Sequence, residues 1–234
     1  MMQQLLTWDA DLLLWINGHN APFWDTVMWY TSQSYVWIPL YLLLIYLLYS
    51  SPKVGHLESG VNSSPKVGEV AAGRRSMKPT TTTLLVLIGF VCIAASAGMA
   101  DFITSGLMKK SICRLRPTHS DLASLIHLVN GYKGGMYGFP SSHAANCWAV
   151  ATSFIVIYRS LLPQVLASRS RIVLPCLLVI CYALINCYSR MYLGVHYPLD
   201  ILCGTVIGVL LGLGFGTIFK IFLPKIKTTR NKTA

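Results

Sequence analysis

The sequence is short of charge, and shortest of acid. Only 12% of its 234 residues are Asp, Glu, Lys or Arg, and just eight of these are acidic. A soluble globular domain carries roughly twice that charged share, so an ordinary soluble enzyme is excluded. Paired cysteine motifs are missing too. The seven cysteines (Cys92, Cys113, Cys147, Cys176, Cys181, Cys187, Cys203) form no CxxC pair and have no histidine at metal-ligand spacing. They are packing residues rather than zinc ligands or redox centres. A basic leader is also lacking. Asp9 and Asp11 stand where a secretory leader would carry positive charge, so the first spanning helix is expected to direct insertion itself.

What remains is apolar. Hydrophobic residues make up 54% of the chain, and the mean hydropathy is +0.55. The apolar residues fall in five blocks, at about 34–49, 82–108, 143–162, 172–188 and 199–223, each bounded by polar residues or by Pro and Gly. A helix needs roughly 20 residues to cross a bilayer. The expected fold is therefore all-α: a polytopic transmembrane bundle of about five to six spanning helices, forming one membrane domain over residues 34–223. The first block is short and can begin earlier, because residues 21–33 are themselves rich in Trp, Tyr and Met.

Residues 1–33 differ in character. Trp8, Trp15, Trp24 and Trp29 are interspersed with Asp9, Asp11, Asn17, His19 and Asp25. This predicts one or two amphipathic helices at the membrane interface, where indole rings are favoured. A sixth span is the alternative. Residues 51–78 are rich in Ser, Gly, Pro and Lys and repeat a pentapeptide, Ser51-Pro52-Lys53-Val54-Gly55 recurring as Ser64-Pro65-Lys66-Val67-Gly68. Such a segment is expected to be a mobile loop, the repeat being a local duplication.

The formal net charge of +11 could mark a nucleic-acid binder, but the cations divide between short loops and the C-terminal end. Placed so, they orient a membrane protein, and the bilayer rather than nucleic acid is the expected partner. Lys53 to Lys78, Arg159 to Arg171 and the basic tail at 224–234 are predicted to be cytoplasmic. Loops 109–142 and 189–198, together with the N-terminal segment, then face the other side.

Those two loops hold nearly every residue capable of chemistry. Lys109, Arg116 and Arg190 lie at membrane boundaries, the arginines on the side where orientation disfavours them. Multidentate donors placed there suit a multiply charged anion such as phosphate. Ser141-Ser142-His143 follows Pro140 and opens an apolar run, so its free backbone N–H groups should form a helix N-terminus able to hold an anion. An ordinary Ser cap would look the same. His196 and Asp200 are four apart around Pro198, which lets the carboxylate fix one imidazole nitrogen and leave the other nucleophilic. A structural His–Asp pair is the alternative. Together these segments supply an anion cradle, a nucleophile with an orienting acid, and in His143 a second histidine able to protonate a leaving alkoxide.

The three segments resemble the signature of the type-2 phosphatidic acid phosphatase family, which includes the vanadium haloperoxidases: K-x6-RP, PSGH and SR-x5-H-x3-D. Lys109, Arg116 and Pro117 match the first; Pro140, Ser141 and His143 the second; Ser189, Arg190, His196 and Asp200 the third. The resemblance spans about residues 80–220. Ser142 departs from it, standing where the family has Gly, and its Cβ is expected to narrow the approach to a backbone N–H with modest effect.

The resemblance implies a metal-independent lipid phosphate phosphatase without a cofactor. His196 would attack phosphorus and become a phosphohistidine, Asp200 would orient it, and His143 would protonate the departing oxygen. Lys109, Arg116, Ser141, Ser142 and Arg190 would bind the phosphoryl oxygens. Implied substrates are undecaprenyl pyrophosphate, lipid A phosphate, phosphatidylglycerophosphate or phosphatidate, at the outer face of a bacterial cytoplasmic membrane. A lipid phosphotransferase with the same intermediate and a non-enzymatic anionic-lipid carrier are the competing functions. The known vanadium peroxidases are soluble, which places that activity last.

Two further features stand apart. Gly204, Gly208, Gly212 and Gly216 form a small-residue stripe, suited to close helix packing either within the bundle, the favoured reading, or between two copies in a homodimer. The loop residues His119, His127, Tyr132, Lys133 and Tyr137 could touch a head group, but solvated or interfacial placement is the favoured reading, and Asp121 is the one other carboxylate in those loops.

Overall fold

The computed structural model describes residues 1–58, 79–162 and 169–232. Apart from one isolated bridge between Leu115 and Tyr137, the regular structure among them is helical. Two short helices, α1 (Met2–Gly18) and α2 (Pro22–Thr31), precede a 3-10 turn at Ser34–Trp37 that leads into α3 (Ile38–Glu58). Next come α4 (Pro79–Asp101), a π-helical turn at Phe102–Met108 and the single-turn α5 (Lys109–Ile112). A long loop then leads to α6 (Ser142–Leu161), α7 (Arg169–Tyr192) and α8 (Pro198–Lys232).

Among the described residues, four stretches are long and apolar enough to cross a membrane: Ser34–Ser51, Thr83–Ile112, Ser170–Tyr192 and Pro198–Leu223. The fifth expected span, α6, has 20 residues and so the same reach of about 30 Å, but it is less apolar. Its position accounts for this, because α3, α4, α7 and α8 all pack on it. It buries Ala144, Ala145, Ala149, Ala151 and Ser153 against protein, where small and polar residues serve close packing better than bulky apolar ones. Leu48, Leu85, Phe154, Ile157 and Phe219 fill the core between these helices. Leu174, Leu177, Leu202, Leu210 and Ile221 point outward, as lipid-facing residues should.

The glycine stripe seats α8 on α6. A Cβ on Gly204 or Gly208 would collide with the carbonyl of Ser141 or Ala145, one on Gly212 would lie 2.7 Å from the Thr152 Cβ, and one on Gly216 2.6 Å from the Val156 Cβ. This face is consumed inside the bundle, so the homodimer reading of the stripe is corrected: the surface it needs is already covered.

Two boundaries also move. The helix α3 runs on to Glu58, so residues 51–58, with the first copy of the pentapeptide, are helical; residues 59–78, with the second copy, lie outside the described residues. Likewise α8 continues to Lys232 through the basic tail. Extending a helix already nucleated by a spanning segment costs little per residue, which composition alone under-weights.

The N-terminal segment forms two helices with Trp8, Trp15 and Trp24 exposed. It is nevertheless locked to the end of the bundle. Asn17, 1% exposed, donates to the carbonyls of His127 and Tyr192 at 3.1 and 2.7 Å and accepts the His127 N–H at 2.8 Å. Asp25 takes the Tyr192 hydroxyl at 2.7 Å and the His127 ring nitrogen at 2.9 Å. A buried amide satisfied on three sides fixes register more firmly than an amphipathic face can.

Candidate active site

The site begins at the N-terminus of α6. Ser141 caps it, its hydroxyl accepting the Ala144 N–H at 3.4 Å, and its own N–H donates to the Asp200 carbonyl at 2.9 Å. That bond ties the second signature segment to the third. Ser142 and His143 follow on the first turn, where the helix dipole favours an anion.

Ser142 is absent from the positive-φ residues, so the glycine expected at this position is not needed for its backbone freedom. Its hydroxyl has a task of its own. Lys109 Nζ donates to it at 2.8 Å, and it lies 2.7 Å from the Ser105 hydroxyl, which donates to Asp101 Oδ1 at 3.1 Å. The proton order that satisfies all three bonds runs Lys109 to Ser142 to Ser105 to Asp101. The π-helical turn makes this chain possible by changing the helical register just ahead of Lys109, a distortion common at functional sites.

The arginines come from two elements. Arg116 sits in the long loop beside the Leu115–Tyr137 bridge; its Nε donates to the Tyr137 carbonyl at 3.2 Å and its backbone N–H to Met136 at 2.9 Å. Gly134, at φ +67°, passes so close to the guanidinium that a Cβ there would collide with it. On α7, Arg190 is 2% exposed; its Nη2 donates to the Tyr132 hydroxyl at 3.4 Å, with the ring centroid 5.8 Å away. Arg116 Nη1 and Arg190 Nε are buried without a partner among the described residues. Buried donors are normally paired, so two guanidiniums holding back N–H groups point to an external acceptor. Burial, and then the charge of Arg190, pull Arg116 below the ordinary arginine value, the mark of crowded cations that an incoming anion relieves.

The loop after α7 carries His196, and Pro198 starts α8 as expected. His196 Nδ1 lies 3.4 Å from Asp200 Oδ2, which also accepts the Tyr197 N–H at 3.0 Å. His196 Nε2 is buried and has no hydrogen-bond partner among the described residues. With the carboxylate behind Nδ1, the tautomer that satisfies this pair leaves the Nε2 lone pair free. Burial, reinforced by the positive charges of Arg116, Arg190 and Lys109, holds the ring well below its ordinary value of 6.5. The imidazole is therefore neutral, hence nucleophilic, at physiological pH.

A cavity of about 360 Å³ opens beside these groups. Of the residues expected from sequence, Lys109, Arg116, Ser142, His143 and Arg190 line it. Ser141, His196 and Asp200 are not part of its lining and are all at 0% exposure, with His196 within electrostatic reach of Arg116, Arg190 and Lys109. Away from the charged groups the lining is mixed, with Asn146, Asn186, Tyr41 and Tyr182 interleaved with Trp37, Ala97, Cys147 and Val150.

Several participants escaped sequence reasoning. Tyr132, expected to be a solvated loop residue, lines the cavity against Arg190. Asp101 lines it too, while Asp121, the carboxylate singled out from sequence, is exposed. Most informative is Arg114, which bridges two buried carboxylates: Nη1 to Asp200 Oδ1 at 2.8 Å and Nη2 to Asp9 Oδ2 at 2.6 Å, its guanidinium 4.1 Å from the Tyr197 ring centroid. Asp9 Oδ1 also accepts the Leu199 N–H at the start of α8, at 2.7 Å. An acid amid the leucines of α1 and an extra arginine two before Arg116 were the available signals.

Comparison with known proteins adds context to this geometry. The profile of the PAP2 superfamily matches residues 74–222. The chain is 30% identical over 232 residues to a lipid A 4'-phosphatase of Bacteroides thetaiotaomicron, covering 98% of this chain and 83% of that protein. It is 25% identical over 224 residues to a lipid A 4'-phosphatase of Porphyromonas gingivalis, covering 95% and 76% respectively. The crystal structure of a transmembrane PAP2-type phosphatidylglycerolphosphate phosphatase from Bacillus subtilis shares the fold, with a TM-score of 0.56 at 20% identity over 95% of this chain and 88% of that one.

Proposed function

Because this chain belongs to the PAP2 superfamily and is a membrane-embedded phosphatase, we propose that it hydrolyses a phosphomonoester of a lipid A-type glycolipid through a phosphohistidine at His196. One observation carries the chemistry: the His196 Nε2 is buried, unpaired and neutral, with Asp200 at its other nitrogen and unsatisfied guanidinium donors nearby. The near-full-length similarity to two lipid A 4'-phosphatases supports the substrate class.

In this mechanism Nε2 attacks phosphorus in line. The Nε2–P bond forms as the P–O bond to the sugar breaks, and His143, which takes up a proton as the anionic phosphate enters among the cations, gives that proton to the departing alkoxide. Asp200 holds Nδ1–H while the ring carries positive charge. His143 then takes a proton from water, whose oxygen displaces the imidazole and releases phosphate. Lys109, Arg116, Arg190, the Ser141–Ser142 helix terminus and its dipole neutralise the equatorial oxygens, the dominant contribution in phosphoryl transfer. Three cations around one cavity repel a divalent metal, so the charge stabilisation comes from side chains. The distribution of Lys and Arg supports a site that opens on the outer face of a bacterial cytoplasmic membrane.

The test is phosphate release by detergent-solubilised wild type and His196→Ala on lipid A, phosphatidate, phosphatidylglycerophosphate and undecaprenyl pyrophosphate, with EDTA present. Lipid A should be turned over fastest by the wild type and not at all by the variant. Preferential turnover of another lipid overturns the substrate assignment, and phosphate reappearing on an added acceptor lipid identifies a transferase.

A further inference from the structure

The mechanism above gives no task to Asp9 or Arg114. Arg114 alone would be the counter-ion of Asp200. A buried carboxylate needs one, and the 2.8 Å contact provides it. That pairing, however, also cancels the charge of Asp200, and a neutral pair does little for an imidazole that becomes positive as its nitrogen bonds to phosphorus. Asp9 changes the sum. It is 0% exposed, reaches the free side of the same guanidinium and anchors the Leu199 N–H one residue before Asp200. Two carboxylates and one guanidinium leave a net negative charge directly behind His196.

We propose that Asp9, on the N-terminal helix, is a positioning residue for phosphoryl transfer: through Arg114 it fixes the Asp200 carboxylate and restores the negative charge that stabilises the His196 imidazolium. This rests on the phosphohistidine reading of His196. It makes α1 part of the catalytic apparatus, although 190 residues separate Asp9 from Leu199 and no signature segment includes it.

The alternative is that Asp9 merely glues α1 to the bundle. Asp25 provides the control, since it anchors the same N-terminal segment through Tyr192 and His127 with no link to Asp200. Asp9→Asn keeps the shape and can still accept the Leu199 N–H, but loses the charge. The full-length protein would be assayed for phosphate release from lipid A, with thermal unfolding measured in parallel. Asp9→Asn should lower kcat by about tenfold or more with KM within about twofold, the scale on which an orienting partner behind a reactive histidine acts. Asp9→Glu should recover part of the loss, and Asp25→Asn should leave kcat unchanged even where it lowers Tm. Rapid-quench trapping should show phosphoenzyme formation slowed in Asp9→Asn. Equal losses of kcat in Asp9→Asn and Asp25→Asn that track Tm, or an unchanged kcat in Asp9→Asn, would overturn the proposal. A wild type that forms no phosphoenzyme would instead overturn the phosphohistidine reading on which it rests.

Discussion

Lys109 meets Ser142 at 2.8 Å across the joint between the π-helical turn and α6. The residue that departs from the family signature is thus the one that steadies the first cation of the cradle. Ser142→Ala removes that acceptor without opening the backbone. One hydrogen bond is worth roughly 1 kcal/mol, so KM for the lipid phosphate should rise about fivefold with a smaller change in kcat. Steady-state kinetics showing an unaltered KM would mean that Lys109 holds its place without the hydroxyl.

Arg190 is buried against Tyr132 with its Nε unpaired. A lysine cannot supply two planar donors from that position. Arg190→Lys should therefore lose about 100-fold in kcat/KM, equivalent to roughly 3 kcal/mol, with little change in Tm. A variant retaining more than half of the wild-type kcat/KM would show that charge alone suffices there.

The stripe on α8 gives a mechanical prediction. In Gly208→Val the new Cβ meets the Ala145 carbonyl and lies 2.9 Å from the Trp148 Cβ, neither of which can retreat. Overpacking of this kind costs about 1–3 kcal/mol and would tilt the helix that carries Asp200. Both Tm and activity should fall, while the oligomeric mass in detergent, read by light scattering, stays the same. A change of mass with unaltered Tm would return the stripe to an intermolecular role.

How much of this was legible in the sequence depended on how far apart the partners lie along the chain. Lys109 and Arg116, Ser141 to His143, and His196 with Asp200 each fall within a few residues of one another, so spacing on a helix or loop singled them out as candidates and the family resemblance supplied their expected roles. The apolar blocks disclosed the bundle because each is locally self-contained. By contrast, Arg114 finds Asp9 105 positions away and Asp200 86 away, contacts that no local period encodes. Ser142 looked like a weakened glycine because its hydroxyl partners, Lys109 and Ser105, reach it only through the π-helical turn. The same limit hid Tyr132, which looks like any loop tyrosine until α7 brings Arg190 beside it.

The depressed pKa of His196 has a consequence for stability. Its folded value lies well below the 6.5 of an unhindered ring. As pH falls through about 6.5, the unfolded chain takes up a proton that the native protein refuses. Native stability should thus decline on acidification, by up to roughly 1.4 kcal/mol per pH unit, levelling only below the folded pKa. Unfolding in detergent between pH 7.5 and 5.5 should show a steeper loss for wild type than for His196→Asn. Parallel curves would contradict the assignment of a neutral buried imidazole.

The most direct measurement is to find the intermediate itself. Wild type and His196→Asn would be mixed with lipid A labelled at its phosphomonoester, quenched in alkali within the first turnover, digested and mapped by mass spectrometry. An acid-labile, alkali-stable phosphoryl group should appear on His196 in the wild type and be missing from the variant. Phosphate released without any label on the protein, or label on His143 instead, would contradict it.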